Sequence, residues 1–328
     1  MDDSGAPSMR ATEEKKRART VTCERCSALN GTGFDRCIRC GAAISPLARS
    51  ADRLRAGVDP QRFVATKAIL AITFFAFSLQ AWMRLRRGDD LGAVLFSSGG
   101  HVSRDLVLRF GALEPTVEAL RAEPWRLLSA IFVHYDGLHL LLNMLALTSV
   151  ARDAEPALGS ARLALTYVVT GIAGFAASAA YLFLSHAGVA PLMAGASGAF
   201  FGVMGLVLGY LIQIRSPLWK RFAVRVVLMT LLIGFAMGRG RLGLMTNHLS
   251  HFVGLALGSV FGMVFARGTI NRPSRTKRSD LWVNVAAAAG LLACVASLVL
   301  AQLSPRWQRG PQRSSGPTST TLPVDSDR

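Results

Sequence analysis

The stretch Gly195-Ala196-Ser197-Gly198-Ala199-Phe200-Phe201-Gly202 decides how this chain is read. It places a serine near the start of a hydrophobic segment, 194–213, long enough to cross a bilayer as a helix. His251 follows 54 residues later, near the start of another such segment, 247–266. Hydrocarbon offers a polar side chain no partner, so a polar group at membrane depth is by default a functional hypothesis. A serine and an imidazole at matching depth point to nucleophilic attack by an activated hydroxyl.

Glycine spacing supplies a means of bringing the two groups together. Gly198, Gly202, Gly205 and Gly209 are spaced four, three and four, and Gly254, Gly258 and Gly262 follow His251 at three, four and four. Each set forms a stripe on one helix face, and stripes of small residues let membrane helices approach closely. If the stripes face each other, the hydroxyl and the imidazole come within hydrogen-bonding reach. The plainer alternative is that the glycines only pack and Ser197 bonds its own helix backbone. His248 is a rival base three residues nearer water; the stripe is in register with His251. An earlier apolar segment, opening at His134-Tyr135-Asp136, carries His139 and Asn143 four residues apart on one face.

Working outward, half of the 328 residues are hydrophobic (51%), and they gather in seven segments at about 66–83, 136–151, 162–184, 194–213, 222–237, 247–266 and 281–303. The second and fifth are short. Alternate spans run the same way, so the second, fourth and sixth begin at one surface, with His139, Ser197 and His251 in their first turns. Ionisable residues at several depths would mark a transport pathway, and these cluster at one end. The first 60 residues have no apolar stretch, which reads as no cleavable signal peptide. The expected architecture is an all-α polytopic membrane protein: a six-helix core at 66–266, a basic loop at 267–280 and a seventh, peripheral C-terminal helix at 281–303. Residues 1–20 and 304–328 read as disordered tails and 46–65 as a basic linker, with no internal repeat.

The net charge of +17 is read as membrane topology rather than as a nucleic-acid footprint. The tract Arg267, Arg272, Arg275, Lys277 and Arg278, the loop residues Arg215, Lys220, Arg221 and Arg225, and the basic N-terminal region share a side if the N-terminus is cytoplasmic. Seven spans then leave the C-terminus outside, in a cell (plasma or inner) membrane. Arg84, Arg86 and Arg87 count against this, but they begin a long loop, and long loops weigh less. That loop, 84–135, carries Phe110, Leu113, Trp125, Leu127, Leu128, Ile131 and Phe132. It reads as short amphipathic helices in the outer interface, with Trp125 and Arg126 at headgroup depth.

Residues 21–45 form a cysteine module: Cys23-x-x-Cys26 and Cys37-x-x-Cys40, ten residues apart. This is the spacing of a small zinc ribbon whose metal supplies the folding free energy that so short a segment cannot. Two disulfides compete with that reading and are disfavoured on a reducing side. Four filled ligand positions suit a structural rather than a catalytic zinc. The module could recruit a cytoplasmic partner, bind nucleic acid or sense metal, and the basic linker beside it could rest on anionic lipid. Cys294, alone in the last span, reads as a packing residue.

Together these residues resemble the rhomboid family of intramembrane serine proteases. The shared features are Glu123-x-Trp125-Arg126, His134-x4-His139-x3-Asn143, Gly195-Ala196-Ser197-Gly198 with Gly202, and His251-x2-Gly254-x3-Gly258, in order over about 66–266. The resemblance implies that Ser197 is the nucleophile and His251 its general base, a dyad without a carboxylate. It implies an oxyanion hole of His139, Asn143 and the Ser197 backbone N–H, with Trp125 and Arg126 anchoring the interfacial loop and 238–246 a mobile cap. The substrate class is membrane proteins, cut in or near transmembrane segments within the lipid bilayer. The alternative is a non-catalytic relative that binds membrane helices. Two positions depart from the pattern: Phe201 stands where a tyrosine often stacks on the imidazole, and Phe252-Val253-Gly254 replaces Leu-Gly-Gly. Residue 199 is Ala, so the Gly-x-Ser-x-Gly elbow of soluble hydrolases is not met.

Overall fold

A computed structural model of the chain describes residues 20–24, 26–31, 34–45, 63–96, 104–185, 192–238, 247–271 and 276–305. They divide into two units, Met1–Arg62 and Phe63–Arg328. Residues 1–19 and 306–328 of the tails, most of the linker and residues 239–246 of the expected cap lie outside the described residues.

The first unit is built on a hairpin of β1 (Thr20–Thr22) and β2 (Leu29–Gly31), paired antiparallel with Val21 opposite Asn30. Among the described residues its buried apolar cluster is Cys23, Cys37 and Ile44, too small to hold a fold. No internal repeat was expected, yet the backbone repeats itself at a shift of 14. The Cys23 N–H donates to the Ala28 carbonyl and the Ser27 N–H to that of Cys23; the Cys37 N–H donates to Ala42 and the Gly41 N–H to Cys37. Ser27 and Gly41, at the same place in each turn, both adopt positive φ, 58° and 70°. The two turns share a shape that few side chains beyond the cysteines specify, so the repeat is nearly invisible in the sequence.

The second unit is helical. Its long helices are α1 (Val64–Arg86), α6 (Gly137–Leu158), α7 (Ser160–Leu184), α8 (Ser197–Gln213), α9 (Leu218–Gly238), α10 (His248–Asn271) and α11 (Thr276–Leu303). Between α1 and α6 the described residues form four short helices: α2 (Leu91–Phe96), α3 (Arg104–Arg109), α4 (Val117–Ala122) and α5 (Arg126–Ser129). Among the described residues four helices, α1, α7, α10 and α11, are long and apolar enough to cross a membrane, and α8 is a shorter apolar helix. The exposed residues of α1, α9 and α11 include Phe75, Val227, Leu231 and Val299, an apolar exterior that suits lipid and not water.

The core centres on α8, which packs against α10, α7, α6 and α9. Phe200, Phe201, Val203, Met204 and Leu206 are all buried, which is why this helix is apolar all round rather than striped. Asp136 caps α6 by accepting the His139 N–H at 2.7 Å. The helix runs past the expected end at 151, through Pro156, to Leu158. The added turns carry Glu155, whose buried carboxylate accepts the Ala65 N–H at 2.8 Å, the Thr66 N–H at 3.2 Å and the Thr66 hydroxyl at 2.5 Å. α1 opens at Phe63 in a left-handed conformation with no acceptor of its own, so Glu155 does from another helix what a capping side chain does locally.

The loop before α6 packs its inner side into the protein: Phe110, Leu113, Ile131 and Phe132 are buried. Arg126 is 1% exposed; its Nε pairs with Glu123 at 2.5 Å and its Nη1 donates to the Leu108 and Ala112 carbonyls. A guanidinium can be buried when its donors find fixed acceptors, and here it knits the loop to itself. The seventh helix is peripheral along its body but not at its end, where Ser304 and Ala301 are buried.

Candidate functional site

Ser197 is the first residue of α8, preceded by a loop with one glycine-only position. Gly195 has φ 125°, and a Cβ there would lie 2.8 Å from His139 Cε1 and 2.9 Å from Nε2, so both conformation and space demand glycine. Backbone pairing holds the approach: Leu113 and Met193 exchange N–H···O bonds of 2.9 and 2.8 Å, and the Gly195 N–H donates to Ala130 at 2.9 Å. The N–H groups of the first turn of α8 have no intrahelical acceptor and point out of the helix N-terminus.

His251 lies in the first turn of α10, and its Nε2 is 2.8 Å from Ser197 Oγ. The glycine seams create this approach. A Cβ on Gly254, Gly258 or Gly262 would strike the carbonyl oxygen of Gly198, Gly202 or Leu206, and one on Gly205 or Gly209 would strike that of Leu255 or Ser259. The stripe on α8 serves a second neighbour as well: the Cβ position of Gly202 is occupied by the Thr170 side chain of α7. Phe201 stacks on the His251 ring, centroids 4.5 Å apart at 18°. His248 meets that ring edge-on at 6.2 Å. Among the described residues no carboxylate bonds the His251 ring.

The other nominated residues gather at the same end. His139 and Asn143 are buried on α6, with the Asn143 amide donating to the His139 carbonyl at 2.9 Å. His139 Nδ1 and Asn143 Oδ1 are without partners. An amide carries two N–H donors, so one remains after the bond to His139. The tautomer of His134 follows from its neighbours: Nδ1 lies 3.3 Å from the Phe132 carbonyl, and Nε2 accepts the Ala196 N–H at 3.4 Å. Trp125 stacks under the Arg126 guanidinium at 4.9 Å and makes its contribution in the loop.

Sequence reasoning missed several supports. Tyr135 lies nearly parallel to His139, centroids 5.5 Å apart, and its hydroxyl donates to the Leu192 carbonyl. Asn247 accepts from both Ser178 Oγ at 2.8 Å and the Ser250 N–H at 3.0 Å, capping α10 and tying it to α7. Gln80 of α1 donates to the His134 carbonyl at 2.9 Å. The Tyr135 neighbourhood had a signal in the string His134-Tyr135-Asp136, and Asn247 had one as an N-cap residue directly before the apolar span; Gln80 is a lone polar residue in an apolar span, with only its polarity to flag it.

In the first unit the ligand atoms of Cys23, Cys26, Cys37 and Cys40 all lie within 4.8 Å of one another, a set that fits one metal ion. The thiols are unequal. Burial opposes ionisation of Cys37, but backbone N–H groups at Cys40 and Arg39 and the Cys26 and Cys23 thiols bring it down to about 6. At Cys26 a hydrogen bond at Ala28 favours ionisation, but burial and the neighbouring Cys40, Cys37 and Cys23 thiols push it up to about 12.

Residues 121–268 match the family model of the rhomboid domain. This stretch of the chain is a rhomboid domain. It is 30% identical over 177 residues to the rhomboid protease GluP of Bacillus subtilis (strain 168), covering 54% of this chain and 32% of that protein. It is 34% identical over 142 residues to RHOMBOID-like protein 4 of Arabidopsis thaliana, 43% of this chain and 34% of the relative. It is 28% identical over 210 residues to RHOMBOID-like protein 5 of the same plant, 60% and 65% respectively. The matches thus span from about a third to just under two thirds of these relatives' own lengths. The rhomboid domain contains the Ser197–His251 pair and the polar residues around it, whereas the cysteine cluster and α11 lie outside the matched residues.

Proposed function

We propose that this rhomboid is a serine endopeptidase that hydrolyses a peptide bond in or near transmembrane segments of other membrane proteins. The observation that carries the reading is the 2.8 Å approach of His251 Nε2 to Ser197 Oγ. In the proposed reaction Ser197 Oγ attacks the scissile carbonyl carbon while His251 Nε2 takes its proton. The Ser197 backbone N–H, the free amide proton of Asn143 and the His139 ring bind the oxyanion, helped by the positive end of α8. His251 then protonates the leaving amine, and water, activated by the same nitrogen, releases the acyl group. Phe201 holds the imidazole plane throughout. A regular helix hides its carbonyls, so the preferred segments carry small or helix-weakening residues.

Cys23, Cys26, Cys37 and Cys40 are assigned to a structural zinc, which when bound supplies folding free energy to the 21–45 module and takes no part in the reaction. We place the catalytic core at 66–266 in the cell membrane, with the N-terminus and its metal module cytoplasmic and the C-terminus outside. The reverse bond from Asn143 to the His139 carbonyl favours the second reading, a non-catalytic rhomboid that holds membrane helices, because one of its two donors is already spent. Labelling of the detergent-solubilised protein by a fluorophosphonate decides between them. The protease reading expects labelling of wild type that is lost in Ser197→Ala and His251→Ala. Folded wild type that stays unlabelled, or His251→Ala labelled at the wild-type rate, overturns it.

A further inference from the structure

The last turn of α11 makes more specific polar contacts than the rest of that helix. Its body is mostly exposed, with Trp282, Leu292 and Val299 turned outward. At the end, Ser304 Oγ donates to Glu123 Oε1 at 2.5 Å, and Glu123 Oε2 is the oxygen that takes Arg126 Nε. Gln302 makes a reciprocal pair with Arg109: Arg109 Nε to Gln302 Oε1 at 3.2 Å, and Gln302 Nε2 to the Arg109 carbonyl at 3.1 Å. Ala301 sits 3.4 Å from where a Cβ on Gly111 would be, beside Ser129, whose hydroxyl donates to the Gly111 carbonyl. One helical turn thus grips the end of α3, the turn at Gly111 and the buried Glu123–Arg126 pair.

These grips lead to the nucleophile in few steps. Arg126 holds the Leu108 and Ala112 carbonyls. The next residue, Leu113, pairs with Met193, and Ala130, one residue after α5, holds Gly195. Gly195 is two residues from Ser197. We infer that the seventh helix is a positioning element for the reaction: through Gln302 and Ser304 it sets the 104–132 loop, and that loop sets the 192–196 segment delivering Ser197. The inference rests on the protease reading for its catalytic half. Ser304 and Gln302 are positioning residues and touch no reacting atom.

The test uses the full chain carrying Ser304→Ala with Gln302→Ala, with Ser304→Thr as a conservative variant and Val299→Ala as a control on an outward face of the same helix. Two quantities are read: amide hydrogen exchange of 104–113 and 192–196, and the fluorophosphonate inactivation constant kinact separately from KI. A hydrogen bond to a buried charge is worth about tenfold in a local opening equilibrium, so exchange in both segments is expected to rise about tenfold in the double variant. kinact is expected to fall about three- to tenfold with KI unchanged, because misorientation and not binding is altered. Ser304→Thr and Val299→Ala should match wild type. Unchanged exchange overturns the clamp, and faster exchange with unchanged kinact overturns its catalytic role. If wild type is never labelled, the protease reading falls, and exchange alone still decides whether the clamp exists.

Discussion

Gly258→Ala is the substitution that tests the seam between α8 and α10 most directly. A Cβ at 258 would lie 2.7 Å from the carbonyl carbon and 2.9 Å from the Cα of Gly202, against about 3.4 Å for an ordinary contact. The atoms it meets are backbone inside a buried helix, so no rotamer change relieves the clash. The Gly202 carbonyl oxygen is closer still, so the helices must part by at least about 0.7 Å, the difference between 3.4 and 2.7 Å. Overpacking of this kind costs about 1–3 kcal/mol. A displacement of at least that size, carried up to His251, opens the 2.8 Å approach to about 3.5 Å or more, outside hydrogen-bond reach. Misplacement approaching 1 Å costs on the order of 100-fold in rate, so about 10- to 100-fold slower fluorophosphonate labelling is expected with the protein still folded. Thermal unfolding in detergent should shift down by several degrees. Gly290→Ala is the matched control: a Cβ there meets Val168 at an ordinary 3.5 Å, and alanine gains about 1 kcal/mol of helix propensity. Gly258→Ala with wild-type labelling and melting would refute the claim that the seam sets the dyad.

Glu155→Ala removes the acceptor for three donors at the start of α1; leaving buried donors unpaired predicts a loss of about 2–4 kcal/mol, read as a lower melting temperature, with Glu155→Gln losing less. An unchanged melt would show that α1 needs no cap from α6. Phe201→Leu keeps apolar volume but loses the stack on His251, worth about 0.5–1.5 kcal/mol, so labelling should slow about two- to tenfold while Phe201→Tyr stays close to wild type; equal rates for all three would discard the stacking role. Purified protein should carry one zinc per chain, lost on Cys37→Ser. Because protons compete with metal for thiolates, affinity falls as pH falls, and the fall should steepen below about pH 6, where Cys37 also holds its proton; metal retention independent of pH between about 5 and 8 would contradict four-thiolate ligation.

Much of the site was legible because it rests on spacing. Ser197 and His251 stand out as polar residues opening apolar spans; the glycine intervals offered a way for the two helices to meet, and the packing shows that they do. The cysteine spacing worked the same way, since each pair must close one tight turn. Reading failed where the pattern carried two meanings. The apolar residues of 104–132 suit either lipid or a protein core, and only packing shows that they face the core. Gly202 belongs to a stripe aimed at α10, yet its Cβ position faces Thr170 of α7, because a helix at the centre of a bundle has no single face.

The order of the helices, their approximate ends, the polar residues that gather at one end of the bundle and the four thiols could be read from sequence alone. They depend on periodicity, local length and residue type, which a chain displays without its fold. Tertiary structure alone decided that Glu155 caps a helix 90 residues away, that Arg126 is buried, and that Ser304 reaches Glu123 across 181 residues. Such pairings have no period and no fixed spacing. They exist because a buried charge or an open helix end must find a partner, and the fold determines which residue is within reach.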